Sequence, residues 1–160
     1  MTRVGGGKRL PSSILVLVLV AVACGSDSSR TPSGSEETVE RGEAALLSNG
    51  EDRAYFFGDV DVRGEQEAEV VANYAPDPSV YYFSPTVIVG EPGQVLRLRV
   101  RNKAFQAHTF TLDEQGIDRQ ISPRSTEVIE VVFPQDGGIT FYCAFHFGSS
   151  NFQAGELRVR

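Results

Sequence analysis

The chain has 160 residues, of which 41% are hydrophobic, with 15 basic and 21 acidic side chains and a formal net charge of -6. That length suits one ordinary domain with its own core, and the acidic balance gives no footing for a nucleic-acid partner. Two histidines and two cysteines, with no Cys-x-x-Cys-His run, exclude a covalently attached c-type haem and a cluster of several histidine-bound metal ions.

Residues 1–23 are expected to form a leader. Arg3, Lys8 and Arg9 precede Pro11-Ser12-Ser13 and an apolar run from Ile14 to Ala23, far short of the roughly 20 residues that a membrane-spanning helix needs. Ala21-Val22-Ala23-Cys24 resembles the lipobox of bacterial lipoproteins. That resemblance implies that Cys24 becomes a lipid-bearing N-terminus and that the mature chain sits at the cell membrane, outside the cytoplasm. The alternative is an ordinary leader, whose small-residue rule Ala21-Val22-Ala23 also satisfies. With Cys24 acylated, Cys143 is the only thiol left and no disulfide can form within the chain. A lone thiol in an oxidising compartment needs burial or a bound partner.

Residues 24–77 are expected to act as an acidic tether. From Gly25 to about residue 38 the chain is Ser, Gly, Thr, Pro and Glu without apolar periodicity, the composition of a solvated linker. A short helix over about Glu36 to Ser48, ended by Gly50, is one reading of the Ala44 to Leu47 stretch. Tyr55-Phe56-Phe57 and Glu69 to Tyr74 are apolar enough to pack on a domain, so order from about residue 39 is left open. A flexible tether of about 40 residues would reach roughly 35 Å from a lipid surface.

From Pro78 to Arg160 the pattern becomes short alternating segments between turns, the signature of an antiparallel sandwich. Val95 to Arg101 is the clearest strand, with Leu96, Leu98 and Val100 on one face and Arg97, Arg99 and Arg101 on a solvated one. Further strands are expected at Thr86 to Val89, His108 to Leu112, Glu127 to Phe133, Ile139 to Cys143 and Glu156 to Arg160. Turns fall at Glu91-Pro92-Gly93, Asp113 to Gly116 and Pro134 to Gly138.

Chemistry concentrates at His108, Cys143 and His146. A thiolate and two imidazoles are the soft and borderline donors that suit both oxidation states of copper, although Cys-x-x-His alone also occurs in zinc sites. Tyr82-Phe83-Ser84-Pro85, Glu91-Pro92-Gly93, Ala107-His108-Thr109-Phe110, Thr140 to His146 and Gly155 to Val159 follow one another as they do in a known family. Over about its last 80 residues the chain resembles the plastocyanin-like cupredoxins.

That resemblance implies an all-β Greek-key sandwich binding one mononuclear type 1 copper through His108, Cys143 and His146. It departs from the family at the axial position, because Met1 is the chain's single methionine. Counting back from the closing Gly155-x-Leu157 gives Gln153, the preferred axial donor, and counting forward from His146 gives Asn151. A backbone carbonyl at Ala107 is the third option. Phe105, Phe145, Phe147 and Phe152 would then exclude water from the metal. The implied activity is single-electron transfer between redox proteins of the cell envelope, by a monomeric carrier rather than a catalyst. The rival readings are a lipoprotein that sequesters or delivers copper, a module that has lost its metal, and a zinc-loaded site.

Overall fold

The computed structural model describes residues 41–160 apart from 78, 149 and 150. The leader, Cys24 and the first part of the tether lie outside the described residues. Among the described residues there are twelve strands: β1 (Ala44–Leu46), β2 (Arg53–Tyr55), β3 (Asp59–Asp61), β4 (Glu67–Pro76), β5 (Ser79–Ser84), β6 (Val87–Gly90), β7 (Val95–Asn102), β8 (His108–Leu112), β9 (Ile117–Ile121), β10 (Thr126–Val132), β11 (Gly138–Gly148) and β12 (Asn151–Val159). One four-stranded sheet has the order β10-β7-β4-β5 and a six-stranded sheet the order β3-β6-β12-β11-β8-β9, while β1 and β2 pair separately. The chain passes back and forth between the two larger sheets, as a Greek-key sandwich of cupredoxin type requires.

Alternation makes the sheets. Leu96, Leu98 and Val100 are fully buried while Arg97, Arg99 and Arg101 are exposed, as the period of two dictates. Each buried aliphatic side chain contributes about 1.5–3 kcal/mol. The outward arginines face acids and water, with Arg97 pairing to Glu67 at 2.6 Å. Between the sheets, Phe83 lies edge-on to Phe110 and Phe141 at 6.3 and 5.3 Å, and Phe110 stacks on Phe141 at 5.0 Å. Gly155 has to be glycine, because a Cβ there would collide with the Phe141 ring and the Thr86 carbonyl.

Three expectations change. The helix over about Glu36 to Ser48 is not formed where the chain is described: Ala44–Leu46 is a strand paired with Arg53–Tyr55. Gly42 and Gly50, both at positive φ, flank it, leaving a run too short for an isolated helix to be stable. Leu47 and Ala54 from this hairpin bury against Ala154, with Tyr142 and Phe147 packed beside them.

The boundary at Pro78 also moves upstream. β4 runs parallel to β7 and antiparallel to β5, with Val70 and Ala72 fully buried, so the segment expected to end the tether is an interior strand. Its glutamates at 67 and 69 belong to the solvent face and give the segment its linker-like composition. Finally, the loop expected between Cys143 and the last strand is mostly strand, because β11 continues to Gly148 and β12 begins at Asn151.

Candidate metal centre

The site is made by an irregularity in the β11–β12 ladder. Tyr142 lies opposite Ala154 and Phe147 opposite Phe152, so Cys143 to His146 all stand across from Gln153 alone. A bulge of this size bends the strand and re-aims its side chains. Here it turns the Cys143 and His146 side chains toward one point. β8 supplies His108 to the same point from the neighbouring strand. The ligand-type atoms of His108, Cys143 and His146 all lie within 4.8 Å of one another.

Backbone groups freed by the bulge find side-chain partners, as buried amides must. The Ala144 N–H donates to Thr109 Oγ1 at 2.6 Å, and Thr111 Oγ1 donates to the same oxygen at 3.1 Å. The Thr109 N–H donates to Cys143 Sγ at 3.2 Å. Thr109 thus ties β8 to the bulge through both its backbone and its hydroxyl. Sequence reasoning missed this residue, since a threonine beside a histidine in a strand carries no signal of its own.

Sulfur lies 3.6 Å from Nδ1 of His108 and 3.4 Å from Nδ1 of His146. One ion bound to N and S at roughly 2.0–2.3 Å in a trigonal plane would hold its donors about 3.4–3.7 Å apart, so these spacings fit a single metal. The donor set fits copper by its softness. Gln153 is fully buried, its Oε1 2.8 Å from Nδ1 of His108 and its Nε2 donating to the Tyr82 carbonyl at 3.3 Å. Asn151 lies two residues earlier on β12, opposite Gly148 and half-exposed. Nε2 of His108 is buried without a partner, so every polar contact of that ring is on the side facing the donor cluster.

Of the four phenylalanines expected to shield the metal, Phe105 is 85% and Phe145 55% exposed. Phe105 stacks under the Arg124 guanidinium at 4.3 Å, and Phe147 and Phe152 pack on Tyr142 and Tyr55. The ring that meets both imidazoles is Tyr81, 5.2 Å from His108 and 4.1 Å from His146. The Tyr81-Tyr82-Phe83 run gave no sign of which ring turned to the site.

Burial holds the His108 imidazole down at about 4, against the opposing effect of its Gln153 hydrogen bond and with a small push from His146. His146 is lowered too, again by burial. Both rings are therefore neutral near pH 7, the state that ligates. The same shift sets a pH dependence for the metal-free protein. Unfolded histidine takes up its proton near pH 6.5, so this part of the stability is complete above that pH, declines as pH falls, and levels off below about 4. Denaturant midpoints of the metal-free protein should drop between pH 7 and 4.5, and should drop less in His108→Gln. An equal drop in both would assign the acid sensitivity elsewhere.

A two-sheet sandwich with a histidine on one strand, and a cysteine and second histidine in the bulge of the last hairpin, has the cupredoxin-type architecture, and its three donors fit one mononuclear copper ion. No family model matches the chain, and no curated protein matches it either. Among solved structures it is similar to the metal-binding domain of the Cu(I)-exporting P-type ATPase CopA of Streptococcus pneumoniae D39, at 16% identity and a TM-score of 0.49, over 66% of this chain and 98% of that one. It is similar to dithionite-reduced auracyanin from the photosynthetic bacterium Roseiflexus castenholzii, at 13% identity and 0.48, over 60% of this chain and 98% of that one. A purple cupredoxin from Nitrosopumilus maritimus aligns at 18% identity and 0.41, over 58% of this chain and 99% of that one. The cupredoxin-type assignment rests on the strand order and the donor set themselves.

Proposed function

We propose that the protein is a monomeric one-electron carrier anchored at the outer face of the cell membrane, exchanging electrons with redox proteins of the envelope. The observation that carries this reading is the burial of three of the four donors: His108, Cys143 and Gln153 are fully buried, and His146 closes the bulge. When bound there, copper supplies a one-electron couple, with the thiolate and imidazoles accommodating both oxidation states. The chain's residues do the rest. Thr109 fixes the sulfur, Gln153 places its Oε1 beside the His108 Nδ1 donor, and β8 and β11 hold the strands that carry the donors.

Copper delivery is the rival use of the same site. A delivery protein needs donors that a recipient can reach, and buried donors oppose that. Repeated reduction and oxidation of the copper-loaded protein in the presence of a Cu(I) chelator separates the two. A carrier keeps its copper through many cycles, whereas loss of the metal on the first reduction would favour delivery.

The axial assignment to Gln153 makes its own prediction. An amide oxygen is a harder donor than a thioether and favours Cu(II), so Gln153→Met should raise the reduction potential. Each 59 mV is about a tenfold change in a one-electron equilibrium, well within the resolution of voltammetry. Asn151→Met should move it less. The reverse order would transfer the axial role to Asn151, and no change in either would leave the Ala107 carbonyl.

The anchor proposal rests on Ala21-Val22-Ala23-Cys24. Each buried lipid methylene contributes about 0.8 kcal/mol, so several acyl chains hold a small domain stably. Cys24→Ala should move the protein from the membrane to the soluble fraction, and equal retention of the variant would overturn the anchor.

A further inference from the structure

We propose that Tyr81 is a positioning residue for the metal centre: its ring holds the His146 imidazole in its ligating orientation and closes the centre to small ligands from outside. The proposal rests on the copper-site reading for its spectroscopic arm, but its geometric basis is independent of any metal. Tyr81 comes from β5 in the four-stranded sheet, whereas all the donors belong to β8, β11 and β12 of the other sheet. Its ring therefore caps the donor cluster from across the sandwich. The ring is 4.1 Å from that of His146 at an interplanar angle of 31°, and 5.2 Å from that of His108 at 63°.

The two histidines differ in how else they are held. His108 is a strand residue, fully buried, with Gln153 Oε1 2.8 Å from its Nδ1. His146 ends the bulge and is half-exposed; the Gln153 side chain hydrogen-bonds it too, Cys143 Sγ lies 3.4 Å from its Nδ1, and its ring neighbours are Tyr81, His108 at 4.8 Å and Phe145 at 6.5 Å. Phe145 is itself 55% exposed and a poor clamp. Tyr81 thus makes the shortest ring contact to His146, and it comes from the opposite sheet.

Tyr81 also lines a groove of about 390 Å³ together with Tyr74, Lys103, Phe105 and Arg124, and neither imidazole is among its lining residues. In this proposal the ring separates that groove from the imidazoles. Its cross-strand partner Tyr74, at 5.2 Å, supports it from behind and is in turn hydrogen-bonded to Ser79 at 2.7 Å. Removing the ring would join the groove to the donor cluster, leaving imidazole-sized molecules a path to the site. The hydroxyl plays no part in this arrangement, so phenylalanine should serve as well as tyrosine.

The test compares Tyr81→Ala, Tyr81→Leu and Tyr81→Phe with the unaltered chain in two states. In the Cu(II)-loaded protein, millimolar imidazole should shift the thiolate absorption band and the electron paramagnetic resonance of Tyr81→Ala, and leave the unaltered chain and Tyr81→Phe unchanged. In the metal-free protein, diethyl pyrocarbonate should acylate His146 about tenfold faster in Tyr81→Ala, the ratio that loss of about 1.4 kcal/mol of protection gives. Tyr81→Leu, which keeps bulk without the ring, should fall between and stands in if the alanine variant does not fold. Unchanged imidazole response and unchanged His146 acylation in Tyr81→Ala and Tyr81→Leu would overturn the proposal, as would a Tyr81→Phe that behaves like alanine. Absence of any thiolate band in the unaltered chain would overturn the copper reading instead, and the acylation rates would still decide the role of Tyr81.

Discussion

Cys143→Ser is expected to remove the intense visible band of the copper-loaded protein completely and to weaken copper binding by at least about a hundredfold, the upper range seen when a group that merely supports a metal ligand is lost. The band comes from charge transfer out of the thiolate, and serine offers no equivalent donor at neutral pH. The fold should survive. Serine is close in size to cysteine, and the Thr109 N–H that now points at Sγ would donate to the serine oxygen. The core cluster gathers its apolar area from both sheets, with Cys143 at its end. Far-ultraviolet circular dichroism should therefore match the unaltered chain while the visible spectrum is blank. A variant that kept the band would remove Cys143 from the site.

The largest expected loss of stability follows Phe141→Ala, about 3–5 kcal/mol. Phe141 is fully buried, stacks on Phe110, meets Phe83 edge-on, and fills the space that glycine at 155 leaves open. Truncation opens a cavity bounded by rigid rings and backbone, which cannot collapse to fill it. Because Phe141 lies two residues before Cys143 on the same strand and the same face, the cavity sits directly behind the donor cluster. Chemical denaturation should show the lower midpoint, and the copper-loaded variant should show a broadened band. A loss below 1 kcal/mol, judged against the usual cost of about 3–5, would mean that the two sheets close over the gap.

How much of this was legible beforehand follows from which signals are local. β7 declared itself because three aliphatics alternate with three arginines. His108, Cys143 and His146 stood out by scarcity and by their order in the cupredoxin pattern, and the structure gathers their donor atoms within 4.8 Å. β4 was hidden because its glutamates face water while Val70 and Ala72 face the core, a pairing that only its neighbours β5 and β7 reveal. The β1–β2 hairpin was hidden for a related reason. Its burial comes from Ala154, Tyr142 and Phe147, more than 80 residues later. Tyr81 and Thr109 were missed because their roles depend on contact across the sandwich and on a bulge, neither of which leaves a spacing in the chain.

The copper centre itself is tested most directly by the visible absorption spectrum of the metal-free protein titrated with Cu(II). One equivalent should produce an intense blue or green thiolate band that saturates at that ratio and bleaches on reduction with no release of metal. That outcome requires the Cys143 sulfur and both imidazoles on one ion, as their 3.4 and 3.6 Å spacings allow. Copper bound without such a band, or a band appearing only with several equivalents, would contradict a single site built from His108, Cys143 and His146.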